Sequence, residues 1–270
     1  MEQLVEKINT NIKPADHEYV GEDGLLHCSV CHRPTQVKVE FSGIKKIVRC
    51  ICDCRKAELE REANRQRMDE TEIRRRECFA QTNMKDWTFE NDDRRSEKLS
   101  GAMIRYSENF PDFLKDGQGL LLHGVVGTGK TYYAACIANH VIDQGYRVFM
   151  TSFLRITNQI QGMNDDKQKY IDNLNRYHLL VLDDLGAERN TEFMQEMVYN
   201  IVDTRYRAGL PLIVTTNLTG EQIAKAQDIT YQRIYDRILE RCFPVAVEGS
   251  SRRRAKLKET HGDMKKMLGL

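Results

Sequence analysis

The chain has 270 residues, 40% apolar and 30% charged, with a formal net charge of +1. That length allows one large or two modest domains with a sizeable core, and the near-zero charge excludes a global basic field for nucleic acid, so any such contact needs a local patch. No apolar run approaches a bilayer span, and Met1–Lys7 lacks the charge and apolar blocks of a signal peptide, so a cytoplasmic, non-membrane protein is expected.

Residues 1–55 are turn-rich and hold five of the eight cysteines. Gln36–Phe41 and Ile44–Arg49 alternate around Ser42-Gly43 and predict a hairpin. Cys28-Ser-Val-Cys31 precedes it, and Cys50-Ile-Cys52-Asp-Cys54 follows. Two close thiol pairs on two turns can supply the four-fold tetrahedral set that a structural zinc prefers. Cys28, Cys31, Cys52 and Cys54 are the predicted ligands, with Cys50 as the competing fifth thiol. Residues 56–83 carry no Pro or Gly over most of their length and mix both charge signs, which predicts an exposed linking helix over Arg55–Glu77.

Residues 84–255 read as a third piece with ordinary composition. Leu120–His123, Arg147–Met150, Leu179–Leu182, Leu212–Thr215 and Val245–Val247 are short apolar runs. Helical spacing marks Thr131–Asp143 and Glu192–Arg207 between them. Continuous apolar strands alternating with helices predict an α/β fold with a mainly parallel five-stranded sheet covered on both faces. Residues 256–270 read as a basic tail.

Gly124-Val125-Val126-Gly127-Thr128-Gly129-Lys130-Thr131 matches G-x-x-x-x-G-K-[ST] in full, between an apolar strand and an amphipathic helix. Such a loop turns backbone N–H groups toward phosphates. Lys130 is the predicted partner of the β- and γ-phosphates of ATP, and Thr131 a ligand of Mg2+. The apolar run Leu179–Leu182 ends in Asp183-Asp184, where carboxylates face the ligand crevice of a parallel sheet. Asp183 is placed to hold magnesium and Asp184 to polarise an attacking water.

These blocks, with Trp87–Asn91, Leu179–Glu188, Leu212–Asn217 and Arg233–Cys242, resemble the bacterial replicative-helicase loaders, the DnaC/DnaI-like group of AAA+ ATPases. The likeness runs from about Trp87 to Arg253. It implies that Asn217 orients the water near the γ-phosphate and that Arg237 is an arginine finger reaching a neighbouring subunit's nucleotide. It also implies that Arg253 contacts phosphate from the C-terminal portion, with the Arg252–Arg254 run leaving the register open by one residue. Arg205 falls near a subunit boundary on the same reading. The group commonly shows the Asp-Asp pair seen here where many AAA+ ATPases have Asp-Glu. The shorter second acid sits farther from the water, so slow hydrolysis is expected. The implied partners are the ring-shaped hexameric replicative helicase, single-stranded DNA, and further copies of the chain. Arg252–Arg254, Lys256, Lys258, Tyr132 and Tyr133 are candidate DNA contacts. The alternatives are an IstB-like transposition helper acting on target duplex DNA, and a nucleotide-dependent scaffold without turnover.

Overall fold

The computed structural model describes residues 14–268 apart from 42, 80–81, 164–165 and 187–190. The first 13 residues of the cysteine module, Ser42 of the hairpin turn, residues 80–81 of the linker and Glu188 therefore lie outside the described residues, as do the side chains of Lys256 and Lys258. The chain divides into two compact units, Met1–Glu70 and Thr71–Leu270.

In the first unit, β1 (Glu18–Val20) and β2 (Leu26–Cys28) pair antiparallel, and β3 (Gln36–Phe41) pairs with β4 (Ile44–Arg49) as the predicted hairpin. Val37 faces Val48 and Phe41 faces Ile44 across it, so one face of the hairpin is apolar and still exposed. α1 (Asp53–Phe79) begins at the second cysteine group and runs on into the second unit. Its charged residues show no apolar stripe until Cys78 and Phe79, which are buried.

The second unit continues through α2 (Glu97–Glu108), α3 (Phe110–Asp116), β5 (Gly119–His123), α4 (Lys130–Asp143), β6 (Val148–Ser152), α5 (Phe153–Gln161) and α6 (Lys167–Asn173). It ends with β7 (Leu179–Leu185), α7 (Glu192–Arg207), β8 (Leu212–Thr216), α8 (Gly220–Ala224), α9 (Ile229–Arg241), β9 (Cys242–Ala246) and α10 (Arg252–Leu268). The sheet is parallel, in the order β6-β7-β8-β5-β9. Alternation along β5 explains its unbroken apolar sequence. Leu120 and Leu122 enter one core with Tyr133, Ile137 and Val141 of α4, and Leu121 enters the other with Ile201 of α7 and Ile234 of α9. Each such buried side chain contributes about 2 kcal/mol of transfer free energy, which only a sheet covered on both faces can collect.

Several elements depart from the sequence expectation: β6 ends at Ser152 and β7 at Leu185, both past the predicted ends, and two further differences lie near the C-terminus. The last strand starts at Cys242, three residues early, because a sheet edge tolerates Pro244, which has no N–H to donate. The residues read as a basic tail continue a helix that starts at Arg252. Among the described residues, no helix is long and apolar enough to cross a membrane.

Candidate nucleotide site and cysteine cluster

The C-terminal ends of β5, β7 and β8 converge on one site. The loop from Gly124 to Gly129 leaves β5 and enters α4 at Lys130. Gly127 has φ +87°, and a Cβ there would lie 2.3 Å from the Ser251 hydroxyl, so only glycine lets the loop pass under that residue. The Thr128 hydroxyl donates to Val125 O at 3.0 Å and steadies the turn. Val125 and Val126 are exposed at its tip. Lys130 Nζ folds back beneath the loop and donates to Gly124 O at 2.8 Å and Val125 O at 2.9 Å. Burial holds its pKa below the ordinary lysine value, opposed by the charges of Asp184 and Asp183.

Asp183 is buried at the end of β7. It accepts from the Thr131 hydroxyl at 3.0 and 3.2 Å and from the Thr215 hydroxyl at 2.5 Å. Burial pushes its pKa up, and the Thr215 hydroxyl partly opposes this. The β7–β8 register breaks between Leu182 and Leu185, and Asp184 takes φ +58° inside that irregularity. For a non-glycine residue this left-handed backbone costs about 1 kcal/mol. The Asp184 N–H donates to Thr215 Oγ1 at 3.0 Å, which holds the distortion. The consequence is that two consecutive acids serve one site: Asp183 stays behind Thr131 while Asp184 lines the cavity. Thr215 therefore touches both acids. The sequence reading assigned it no role, although a hydroxyl pair ending an apolar strand, Thr215-Thr216, was the available signal.

The cavity holds about 510 Å3 and is lined by Lys130, Thr131, Asp184, Asn217, Arg252 and Arg253, with Trp87 and Tyr132 at its side. A glycine-rich loop opening a helix, a buried lysine and this volume fit a nucleoside triphosphate, and the adjoining Thr131 and Asp183 oxygens fit a hard divalent cation. Tyr133 is fully buried, as a core residue, and Tyr132 is half-buried with its hydroxyl donating to Thr88 O at 2.8 Å.

Two of the arginines singled out in the sequence lie apart from this site. Arg237, read as reaching a neighbouring subunit's nucleotide, does not line this chain's own cavity. Its Nη2 lies 2.7 Å from Asp203 Oδ1, and its guanidinium stands 4.6 Å from the Tyr199 ring and 5.7 Å from the Tyr206 ring. Arg205, placed near a subunit boundary by the family resemblance, is 1% exposed, so its side chain offers no surface to a neighbouring subunit. It donates instead to the carbonyls of Pro211, Tyr177, His178 and Leu174, and joins the segments leading into β7 and β8.

In the first unit, the sulfurs of Cys28, Cys31, Cys52 and Cys54 lie within 4.8 Å of one another. Cys54 Sγ is 3.4 Å from Cys28 Sγ and 3.3 Å from Cys52 Sγ. A tetrahedral zinc with bonds of about 2.3 Å sets sulfurs about 3.8 Å apart, a shift of only tenths of an ångström for these pairs. Backbone N–H groups of Cys54 and Arg33 pull the Cys31 thiol down to about 6, and those of Cys31 and Val30 lower Cys28. Cys54 goes the other way, raised by its hydrogen bonds with the sulfurs of Cys52, Cys28 and Cys31, so the cluster shares protons that a bound metal would displace. Cys50 points elsewhere and donates to Pro34 O at 3.4 Å. The clustered sulfurs of Cys28, Cys31, Cys52 and Cys54 are compatible with zinc, and Cys50 lies apart from them.

The parallel sheet in this order, the phosphate loop and the paired acids define an ATP-binding P-loop protein of the AAA+ class. The sequence profile of the IstB-like ATP binding proteins matches residues 43–260, and the chain belongs to that family. It is 26% identical to the replicative helicase loader DnaI of Bacillus subtilis over 166 residues, which is 54% of this chain and 53% of that protein. It is 27% identical over 185 residues to a putative ATP-binding protein in an insertion sequence of Mycobacterium tuberculosis, covering 67% of this chain and 72% of the relative. The crystal structure of DnaI superposes with a TM-score of 0.52 at 26% identity, over 63% of this chain and 92% of that one. The crystal structure of the DnaC helicase loader gives 0.50 at 22%, over 56% and 89%, and shares the fold. The chain thus spans about half the length of the Bacillus loader.

Proposed function

We propose that the protein is an ATP-switched loader that delivers a hexameric replicative helicase to single-stranded DNA in the cytoplasm, and that it self-associates across its nucleotide sites. The observation that carries this reading is the shared cavity of the phosphate loop and Asp184, with Asp183 behind Thr131, on a domain that covers nearly all of the DnaI crystal structure. Lys130 neutralises the β- and γ-phosphates. Thr131 and Asp183 hold magnesium, whose charge offsets that of the phosphate oxygens. Asp184 accepts a proton from the attacking water that Asn217 orients. Arg253 meets the phosphates from the C-terminal side. For Arg237 to act as an arginine finger, its pair with Asp203 must open. Asp184 is short for a base, so turnover is slow and the bound state is the longer-lived one. Zinc on Cys28, Cys31, Cys52 and Cys54 supports the N-terminal unit, which docks the helicase.

A second reading is a transposition helper acting on duplex target DNA. The relative encoded in an insertion sequence, of which the chain covers 72%, favours it. Co-purification with the host's replicative helicase, with ATP and single-stranded DNA varied, decides between them. Helicase retained by the wild type and lost in Lys130→Ala supports loading. No helicase retained, with ATP-dependent binding to duplex DNA, replaces loading with the second reading.

A further inference from the structure

The start of α10 is fastened across the phosphate loop. The Arg252 N–H donates to Gly127 O at 2.8 Å, and Ser251 packs directly on Gly127. The Arg252 side chain then turns toward the segment that precedes α2. Its Nη2 lies 3.1 Å from Asp93 Oδ1 and 3.2 Å from the Tyr133 hydroxyl, and its Nη1 lies 3.4 Å from Asp92 Oδ1. Asp92 is itself locked, with a side chain only 1% exposed that accepts from the Ser100 hydroxyl. Ser100 Oγ lies 3.1 Å from the Tyr133 hydroxyl, which closes the network, and the guanidinium stands over the Tyr132 and Tyr133 rings at 5.7 and 5.4 Å.

Arg253 presents the opposite picture. Its side chain is exposed, lines the cavity, and makes no hydrogen bond or ion pair among the described residues. Two adjacent arginines at one cavity therefore differ in kind. One is neutralised by two carboxylates and fixed by packing. The other keeps its full charge and its five donors for a ligand.

We propose that Arg252 is a positioning residue of the nucleotide site: it straps residues 251–253 over the phosphate loop and so aims Arg253 at the terminal phosphate. The proposal rests on the reading of the cavity as an ATP site. Without the strap, Arg253 sits on a free helix end, and fixing a long flexible side chain there costs part of the contact it makes. The paired carboxylates also keep Arg252 from serving as a second phosphate ligand, because binding phosphate would leave Asp92 buried without its cation.

The test is the affinity of the full chain for fluorescent ATP and ADP analogues, with Lys130→Ala as the site control. Loss of Arg253 removes one charge-assisted contact to the terminal phosphate, so Arg253→Ala weakens ATP about tenfold more than ADP. Arg252→Ala is expected to show the same ATP-selective loss. Arg252→Lys is expected to repair it only in part, since an ammonium cannot serve Asp92, Asp93 and Tyr133 in one plane. The double variant Arg252→Ala/Arg253→Ala binds ATP within about twofold of Arg253→Ala, because the two residues act in series. Asp93→Asn, at a half-exposed position that leaves no buried charge unpaired, gives a weaker loss in the same direction and stands in if Arg252→Ala does not fold. Multiplicative losses in the double variant would make Arg252 a separate ligand and overturn the proposal. Equal loss of ATP and ADP in Arg252→Ala, with a lowered melting temperature, would make it a fold residue only and overturn it as well. If the wild type binds neither analogue, or Lys130→Ala binds both as well as the wild type, the reading of the cavity itself falls.

Discussion

Replacing Thr215 by Val tests how the two acids are held. The change keeps shape and volume at a fully buried position and removes one hydroxyl. That hydroxyl donates to Asp183 at 2.5 Å and accepts from the Asp184 N–H at 3.0 Å. A hydrogen bond to a charged partner is worth about 1.5–3 kcal/mol, and a neutral one about 1 kcal/mol. Burying an extra methyl returns about 0.8 kcal/mol. The net expected loss is about 2–3 kcal/mol, read as a lower urea midpoint with an unchanged slope. Function should suffer as well. Asp183 loses a donor to its ionised form, so more magnesium is needed for nucleotide binding. Asp184 loses the bond that holds its left-handed backbone, so turnover falls by about ten- to a hundredfold. Urea denaturation, magnesium titrations of ATP-analogue binding and steady-state phosphate release measure the three effects. A Thr215→Val protein with wild-type stability, magnesium dependence and turnover would refute the claim that Thr215 organises the acids.

Asp183 also predicts a pH dependence. Its folded pKa lies above the ordinary aspartate value, so the folded state holds this proton more tightly than the unfolded one. Stability without ligand should therefore fall as pH rises from the ordinary aspartate value to the raised one, and Asp183→Asn should flatten that part of the profile. At the cysteine cluster, metal analysis should return one zinc per chain. Cys54→Ala should lose it and Cys50→Ala should retain it, because Cys50 is turned toward Pro34 O. Stoichiometric zinc in Cys54→Ala would remove that residue from the ligand set. Arg205→Ala should cost about 3–5 kcal/mol in urea unfolding, since it strands the carbonyls of Pro211, Tyr177, His178 and Leu174. A loss under about 1 kcal/mol would mean that water replaces the guanidinium there.

Much of this protein was legible in its residues because the signals are local. The phosphate loop needs glycines and a lysine at set spacing, and a strand buried on both faces must be apolar throughout. The hairpin Gln36–Phe41/Ile44–Arg49 and the helix Glu192–Arg207 stand within the predicted bounds because pleat and helical period are properties of short segments. The cysteine spacing reduced the metal question to five thiols. Tertiary structure decided what depends on contacts between distant segments. Only packing turned Cys50 away from the cluster. Only the neighbouring β8 supplied the hydroxyl that separates the roles of Asp183 and Asp184. Arg205, Arg237, Arg252 and Arg253 look alike in sequence, and their surroundings make one a buried brace, one a partner of Asp203, one a strap and one a free charge. An arginine's chemistry is the same wherever it falls, so its role follows from which carboxylates, carbonyls and rings the fold brings within reach.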